Sequence, residues 1–304
     1  MENCERHKDI EWINVGKYIN RTYLLVNLIA NFCGALLITL YFSFFDSLSI
    51  VKKDPVIQFY IPAIMFLFLV IIGMVVYRRW FNEVNKYIKL KSEHKDIDSD
   101  LLKNAQKRIL NLPFSASMVS MFNWGLASVI MSSMVLINTR SVNLSNEIWF
   151  YTLRLFTEII IAGIATSALV FFLMEHYCRK IISFFFPAGG LYKIKDVFSL
   201  NLRNRIMITF VFASFIPIID FALLSYSKAK AMMGADPETI LSDFGYLIIF
   251  VLFIDLSLAI ILSHLLSRGI VRPVTEIKNA MAQVEKGNLA VSIRVSDYNE
   301  LGFQ

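Results

Sequence analysis

Residues 244–266 read FGYLIIFVLFIDLSLAIILSHLL, a run with one acid, Asp255, and no lysine or arginine. A helix rises about 1.5 Å per residue, so the run is roughly 34 Å long, enough to cross a bilayer core of about 30 Å. Its apolar residues fill every side of the helix instead of one stripe. Five more runs share this character: Tyr23–Phe45, Val56–Val76, Pro113–Ile137, Thr152–Glu175 and Ile206–Tyr226. The expected fold class is therefore an all-α polytopic membrane protein, with six transmembrane helices and a further helical segment over 267–304. Buried helices of a large soluble protein are the competing reading, and six such lengths in 304 residues weigh against it.

Composition agrees with a membrane chain. Hydrophobic residues make up 56% of the sequence and charged ones 18%, with 26 Phe and 12 Met. Cys4, Cys33 and Cys178 form no CxxC and no paired framework, so no structural disulfide is expected. The first apolar run has no small-residue cleavage site behind it and reads as a retained span.

The basic residues set direction. With residues 1–22 on the cytoplasmic side, that side carries 24 Lys and Arg against five outside, leaving Arg154 near a boundary. The outer five are Lys52, Lys53, Arg140, Lys228 and Lys230. This asymmetry places both termini in the cytoplasm and reads the net charge of +6 as topology, with no nucleic-acid partner expected. The outer loops, roughly 46–55, 138–151 and 227–243, are too short for a folded ligand-binding domain. The inner loops are richer. Over 98–111 (DSDLLKNAQKRILN), Leu101, Leu102, Ala105 and Ile109 share one side of a short helix, read as interfacial, with Pro113 opening the next span.

Beyond Leu266 the chain reads SRGIVRPVTEIKNAMAQVEKGNLAVSIRVSDYNELGFQ. Arg272-Pro273 puts a proline where the first turn of a new helix tolerates it. Val274, Ile277, Met281 and Val284 then form one narrow apolar seam, which needs a partner because so short a helix is marginal alone. Gly287-Asn288 reads as a left-handed cap, and Leu289, Val291, Ile293 and Val295 alternate along an extended connector.

The Arg-Pro start, the seam, Gly-Asn-Leu, the alternating connector and the closing Asn299-Glu300-Leu301-Gly302 together resemble a HAMP domain; Asn299 stands where that family usually has Asp. The resemblance implies a parallel four-helix bundle made by a homodimer, coupling membrane helices to a cytoplasmic output. Only its first helix, its connector and the opening of its second helix are here, so a continuation past Gln304 is expected. An ordinary amphipathic tail on the membrane is the plainer account of the seam.

Six spans before such a linker resemble the membrane anchor of bacterial class III adenylate or guanylate cyclases. The resemblance covers most of the chain diffusely. It is carried by Arg108-Ile-Leu-Asn-Leu-Pro113, Phe186-Pro187-Ala-Gly-Gly190-Leu191, Leu202-Arg203-Asn-Arg205 and Ile216-Pro217. It implies a homodimer in the bacterial inner membrane. It also implies a separate catalytic domain that makes cyclic AMP and pyrophosphate from ATP with two divalent ions, Mg or Mn. No catalytic, cofactor or metal residue of that chemistry can be assigned here, and the chain itself is expected to be silent. A HAMP-linked histidine kinase or other receptor, and a transporter, remain alternatives.

The candidate residues are the charged and irregular ones inside the spans. Asp255 stands mid-span in the helix leading to the seam, as a functional acid or one bonded to a polar neighbour. Asp220 follows Pro217, whose ring frees a carbonyl one turn back. Arg154 and Glu158, four apart, form a local ion pair or contact a ligand. Asn31, Asn123 and Trp124 read as interhelical glue or interface anchors. His176 and His264 sit near cytoplasmic span ends, as headgroup residues or as ligands of a haem or metal. Nothing in the membrane residues names a stimulus.

Overall fold

A computed structural model describes residues 2–44, 60–138, 145–186, 194, 197–198, 202–232 and 237–288. Seven helices account for nearly all of them: α1 (Glu2–Phe44), α2 (Ile61–Ser92), α3 (Ser99–Leu110), α4 (Leu112–Asn138), α5 (Ser145–Phe185), α6 (Leu202–Met232) and α7 (Pro237–Glu285). Six of them, all but α3, are long and apolar enough to cross a membrane, over Trp12–Phe42, Ile61–Ser92, Leu112–Ile137, Ile148–Ile182, Arg203–Leu223 and Phe244–Ser267. This is the expected all-α, six-span architecture. Large apolar side chains face outward through the spans, among them Ile64, Leu67, Phe68 and Ile71 on α2. Such a surface suits hydrocarbon as its solvent.

Most helices outrun the apolar runs that announce them. α2 continues past Val76 to Ser92, and α5 past Glu175 to Phe185. The reason is a second core at the basic end of the bundle. Tyr77, Phe81, Val84 and Ile88, spaced four, three and four apart, keep one face of α2 buried after its lipid-facing character ends. They meet Val15 and Ile19 of α1, and Cys178, Ile181, Ile182 and Phe185 of α5. Trp12 sets its ring edge-on to Tyr87, Phe184 and Phe185, at centroid distances of 5.7, 6.2 and 5.7 Å.

The short helix α3 forms as its pattern predicts, capped by the Asp98 carboxylate accepting from Asp100 N at 3.3 Å. Its apolar face does not lie on lipid. Ala105 and Ile109 are fully buried in the basic-end core, and Leu101 and Leu102 pack against it. Polar contacts fasten the helix there. Arg108 Nε donates to Glu83 Oε2 at 2.8 Å, another of its nitrogens donates to the Trp80 carbonyl, and its guanidinium stands 5.7 Å from the Trp80 ring centroid. Gln106 Nε2 donates to the Phe185 carbonyl at 2.8 Å. Pro113 sits in the first turn of α4, where its missing N–H costs nothing.

The α2–α3 turn closes on His94, a non-glycine residue with φ of 51°. Lys95 N bonds back to the Leu90 carbonyl at 3.1 Å and His94 N to the Lys91 carbonyl at 3.4 Å, the paired bonds of a Schellman cap. Lys95 Nζ lies 2.6 Å from Glu93 Oε2 and holds that carboxyl below its usual range. A side chain in the left-handed region is strained where glycine is not. His94→Gly is accordingly expected to stabilise the protein by about 1 kcal/mol, read as a rise in thermal midpoint in detergent.

At its other limit the bundle departs from the expected boundary. α7 does not restart at Arg272-Pro273; its backbone is helical from Pro237 through to Glu285. A proline inside a helix removes one bond and presses its ring on the carbonyl four residues back. That carbonyl belongs to Gly269, the residue type whose backbone yields most readily. Pro217 is likewise accommodated inside α6. The helix ends as expected. Gly287 has φ of 86°, Gly287 N bonds to the Val284 carbonyl at 2.9 Å, and Asn288 N to the Gln283 carbonyl at 3.0 Å.

Candidate functional site

Several arrangements among the described residues of the spans carry polar chemistry, and two of them share a cleft. The cleft has a volume of about 820 Å³ and lies between α1 and α7, with α5 behind it. Its α1 wall runs from Tyr18 to Tyr41, almost the whole crossing. Among the described residues α1 and α7 do not pack backbone to backbone. They meet through side chains at one end, where Ile38, Tyr41 and Phe42 touch Leu247, Phe250 and Val251, and that cluster closes the cleft there. The lining is aliphatic for most of its length. Asp255 interrupts it on the α7 side, half-buried, and its Oδ2 is shielded with no hydrogen-bond partner among the described residues.

At the closed end stands a three-residue polar knot. Arg154 Nε donates to Glu158 Oε1 at 2.7 Å, and a second guanidinium nitrogen, Nη2, donates to Tyr41 Oη at 2.7 Å. Tyr41 in turn donates to Glu158 Oε1 at 3.1 Å. The Arg154 and Glu158 side chains are only 5% and 8% exposed, so the pair is shielded from water. The local pair expected from the i, i+4 spacing is there, and Tyr41 makes it interhelical by bringing in α1.

A second knot fastens α1, α4 and α5 around one indole. Trp124 Nε1 and Ser120 Oγ both donate to Asn31 Oδ1 at 2.8 Å. The indole lies in a slot between two glycines: a β-carbon on Gly163 would fall 2.4 Å from Trp124 Cβ, and one on Gly34 2.9 Å from Trp124 Cζ2. Small residues let helices approach closely where lipid gives no hydrophobic drive for association. Asn123 joins α4 to α2, its Nδ2 donating to the Leu69 carbonyl at 3.3 Å.

At the basic end Glu175 of α5 receives Arg179, at 3.7 Å, and Arg205 of α6, which is in direct contact. His176 and α7 residues Leu265 and Leu266 border the same small crevice. These contacts tie α5 and α6 beside the point where α7 leaves its span. His264 is exposed on α7. Among the described residues no group of three or more His, Cys, Asp or Glu is placed to hold a metal.

The remaining candidates lie along α6, α7 and beyond. Pro217 is half-buried within α6; Asp220 follows on the same helix, and its side chain lies outside the described residues. Arg272 and Pro273 are in the helical backbone of α7, with side chains also outside the description. Of the seam, Val274, Met281 and Val284 are 48%, 68% and 47% exposed, and Ile277 is half-buried. Glu300, Gly302 and the connector fall outside the described residues.

Sequence reasoning missed Tyr41, Gly34, Gly163 and the Glu175 link to Arg205. The glycines carried a signal, since each sits in a span without a turn to explain it. Comparison with protein-family models, with curated proteins and with solved structures gave no match, so the functional reading rests on these residues themselves.

Proposed function

We propose that this chain is the membrane-embedded regulatory module of a signalling protein, lying in a bacterial inner membrane with both termini cytoplasmic. The observation that carries the reading is α7. One unbroken helix starts beside the bundle's outer end, passes the cleft at Asp255, and emerges at the basic end with an apolar seam that is mostly exposed among the described residues. A helix is stiff along its axis, so it carries a shift or rotation within the bundle toward Val284, with Gly269 and Pro273 as its weak points. The seam would pair with its copy in a second chain as the first helix of a HAMP bundle. Of the outputs such a linker serves, a class III cyclase converting ATP to cyclic AMP is the one favoured by the six-span anchor.

The test is insertion of one, two, three or four alanines between Arg268 and Gly269 in the uninterrupted gene, with cyclic AMP measured in membranes. Each added residue turns the seam by about 100°. Activity is expected to oscillate with helical phase, returning toward the starting level near the four-residue insert, and to be absent when the gene is stopped at Gln304. A flat response sinks the lever. Absence of cyclic AMP in every form, despite normal expression, transfers the reading to a kinase output.

A further inference from the structure

Some polar groups of the cleft are held by neighbours within the fold. Tyr41 and Glu158 are held in the knot with Arg154, and Ser257 Oγ donates to the Phe253 carbonyl of its own helix at 2.7 Å. Asp255 stands apart from that knot, midway along the α7 wall. Its shielded Oδ2 meets no donor among the described residues, and it faces a space of about 820 Å³ whose other walls are mostly apolar, with Arg21, Thr22 and Thr166 on the α1 and α5 sides. Sites for small organic molecules measure roughly 300–1,000 Å³ and pair apolar walls with a few placed polar groups. A carboxyl group held in such a wall without a donor costs free energy that a bound donor returns.

We propose that the cleft between α1, α5 and α7 binds an aliphatic, membrane-dissolved molecule whose hydroxyl or amine donates to Asp255. The chain of that molecule lies along α1 and α5, against Ile29, Leu37, Ala165 and Leu169. A helix from a second copy is a poorer occupant. It is about 10 Å across, and the contact between Tyr41 and Leu247 closes the route it would need through the full span. This goes beyond the signalling reading, because occupancy is measured without any output; if both hold, the ligand acts on the helix that carries the seam.

Cys33 lines the cleft and is exposed to it, which supplies a native reporter. The full chain in phosphatidylcholine vesicles is treated with a membrane-permeant maleimide, and modification of Cys33 is followed by peptide mass spectrometry. Dodecanol is expected to slow that modification about tenfold, while dodecyl methyl ether, which has no donor, is expected to protect about tenfold less well, the worth of one hydrogen bond. Asp255→Leu is expected to abolish the difference between the two probes. Ala165→Leu, which narrows the cleft and leaves the acid in place, is expected to remove protection by both. Equal protection by alcohol and ether in the unmodified chain overturns the proposal, as does undiminished selectivity in Asp255→Leu. So does a Cys33 shielded without probe and uncovered by dilution into excess lipid, which marks a second copy as the occupant.

Discussion

Glu158→Ala is expected to destabilise the protein by about 3–5 kcal/mol, the cost of stranding one member of a buried ion pair. The partner left behind is an arginine, which cannot shed its proton and so stays charged in a site shielded from water. Arg154 would lose the carboxylate at 2.7 Å while keeping Tyr41 Oη, a neutral acceptor. Tyr41→Phe removes the hydroxyl that joins α1 to this pair, and its expected cost is about 1–3 kcal/mol. The informative variant is the double one. Arg154→Met with Glu158→Leu removes both charges and refills the space with apolar atoms, so it is expected to fall within about 1–2 kcal/mol of the starting protein despite two changes. Thermal unfolding in a mild detergent orders the set. A double variant as damaged as Glu158→Ala would show that more than desolvated charge is at stake, and would favour the ligand-contacting reading of the pair.

How much of this was legible follows from the range of each interaction. Span count and helical class are written locally, in runs long enough to cross a bilayer, and so is the Gly287 cap, which needs only Gly-Asn after an apolar seam. The Arg154–Glu158 pair was legible for the same reason, being one helical turn. Tyr41 was not, because it joins that pair from 113 positions away, and nothing local in α1 marks its hydroxyl as different from any other interfacial tyrosine. The true helix lengths were partly legible. Hydropathy falls at Val76 and Glu175, yet the four-three-four spacing from Tyr77 to Ile88 continues the α2 helix under a different solvent. Arg272-Pro273 misled for a physical reason. The pre-proline restriction predicts a boundary, whereas a yielding Gly269 one turn back lets the helix continue. The cleft was invisible, since a space is made by what three distant helices fail to fill.

Gly163→Ala is expected to destabilise by about 1–3 kcal/mol although it exchanges the poorer helix former for the best one. In an open position the same exchange gains about 1 kcal/mol. Gly125, in α4, is such a position, with nothing within 4 Å of the β-carbon it would acquire, and Gly125→Ala is expected to be neutral or stabilising. At Gly163 the added carbon meets Trp124 Cβ at 2.4 Å and Cγ at 2.8 Å. The indole cannot retreat. Its far edge already abuts Gly34, and its Nε1 is bonded to Asn31, so it would have to push α1 aside or give up that bond. The strain therefore passes to the α4–α5 contact, and Gly163→Val, with two more carbons, is expected to exceed Gly163→Ala. A cycle with Trp124→Gly isolates the cause. Glycine removes the Cβ and Cγ that the added carbon meets, together with the ring held by Gly34 and Asn31. The cost of Gly163→Ala should then fall by at least half in the Trp124→Gly background. An unchanged cost would mean that Gly163 is required for its own backbone and not for the space it leaves, and the indole would lose its place as the pin joining α1, α4 and α5.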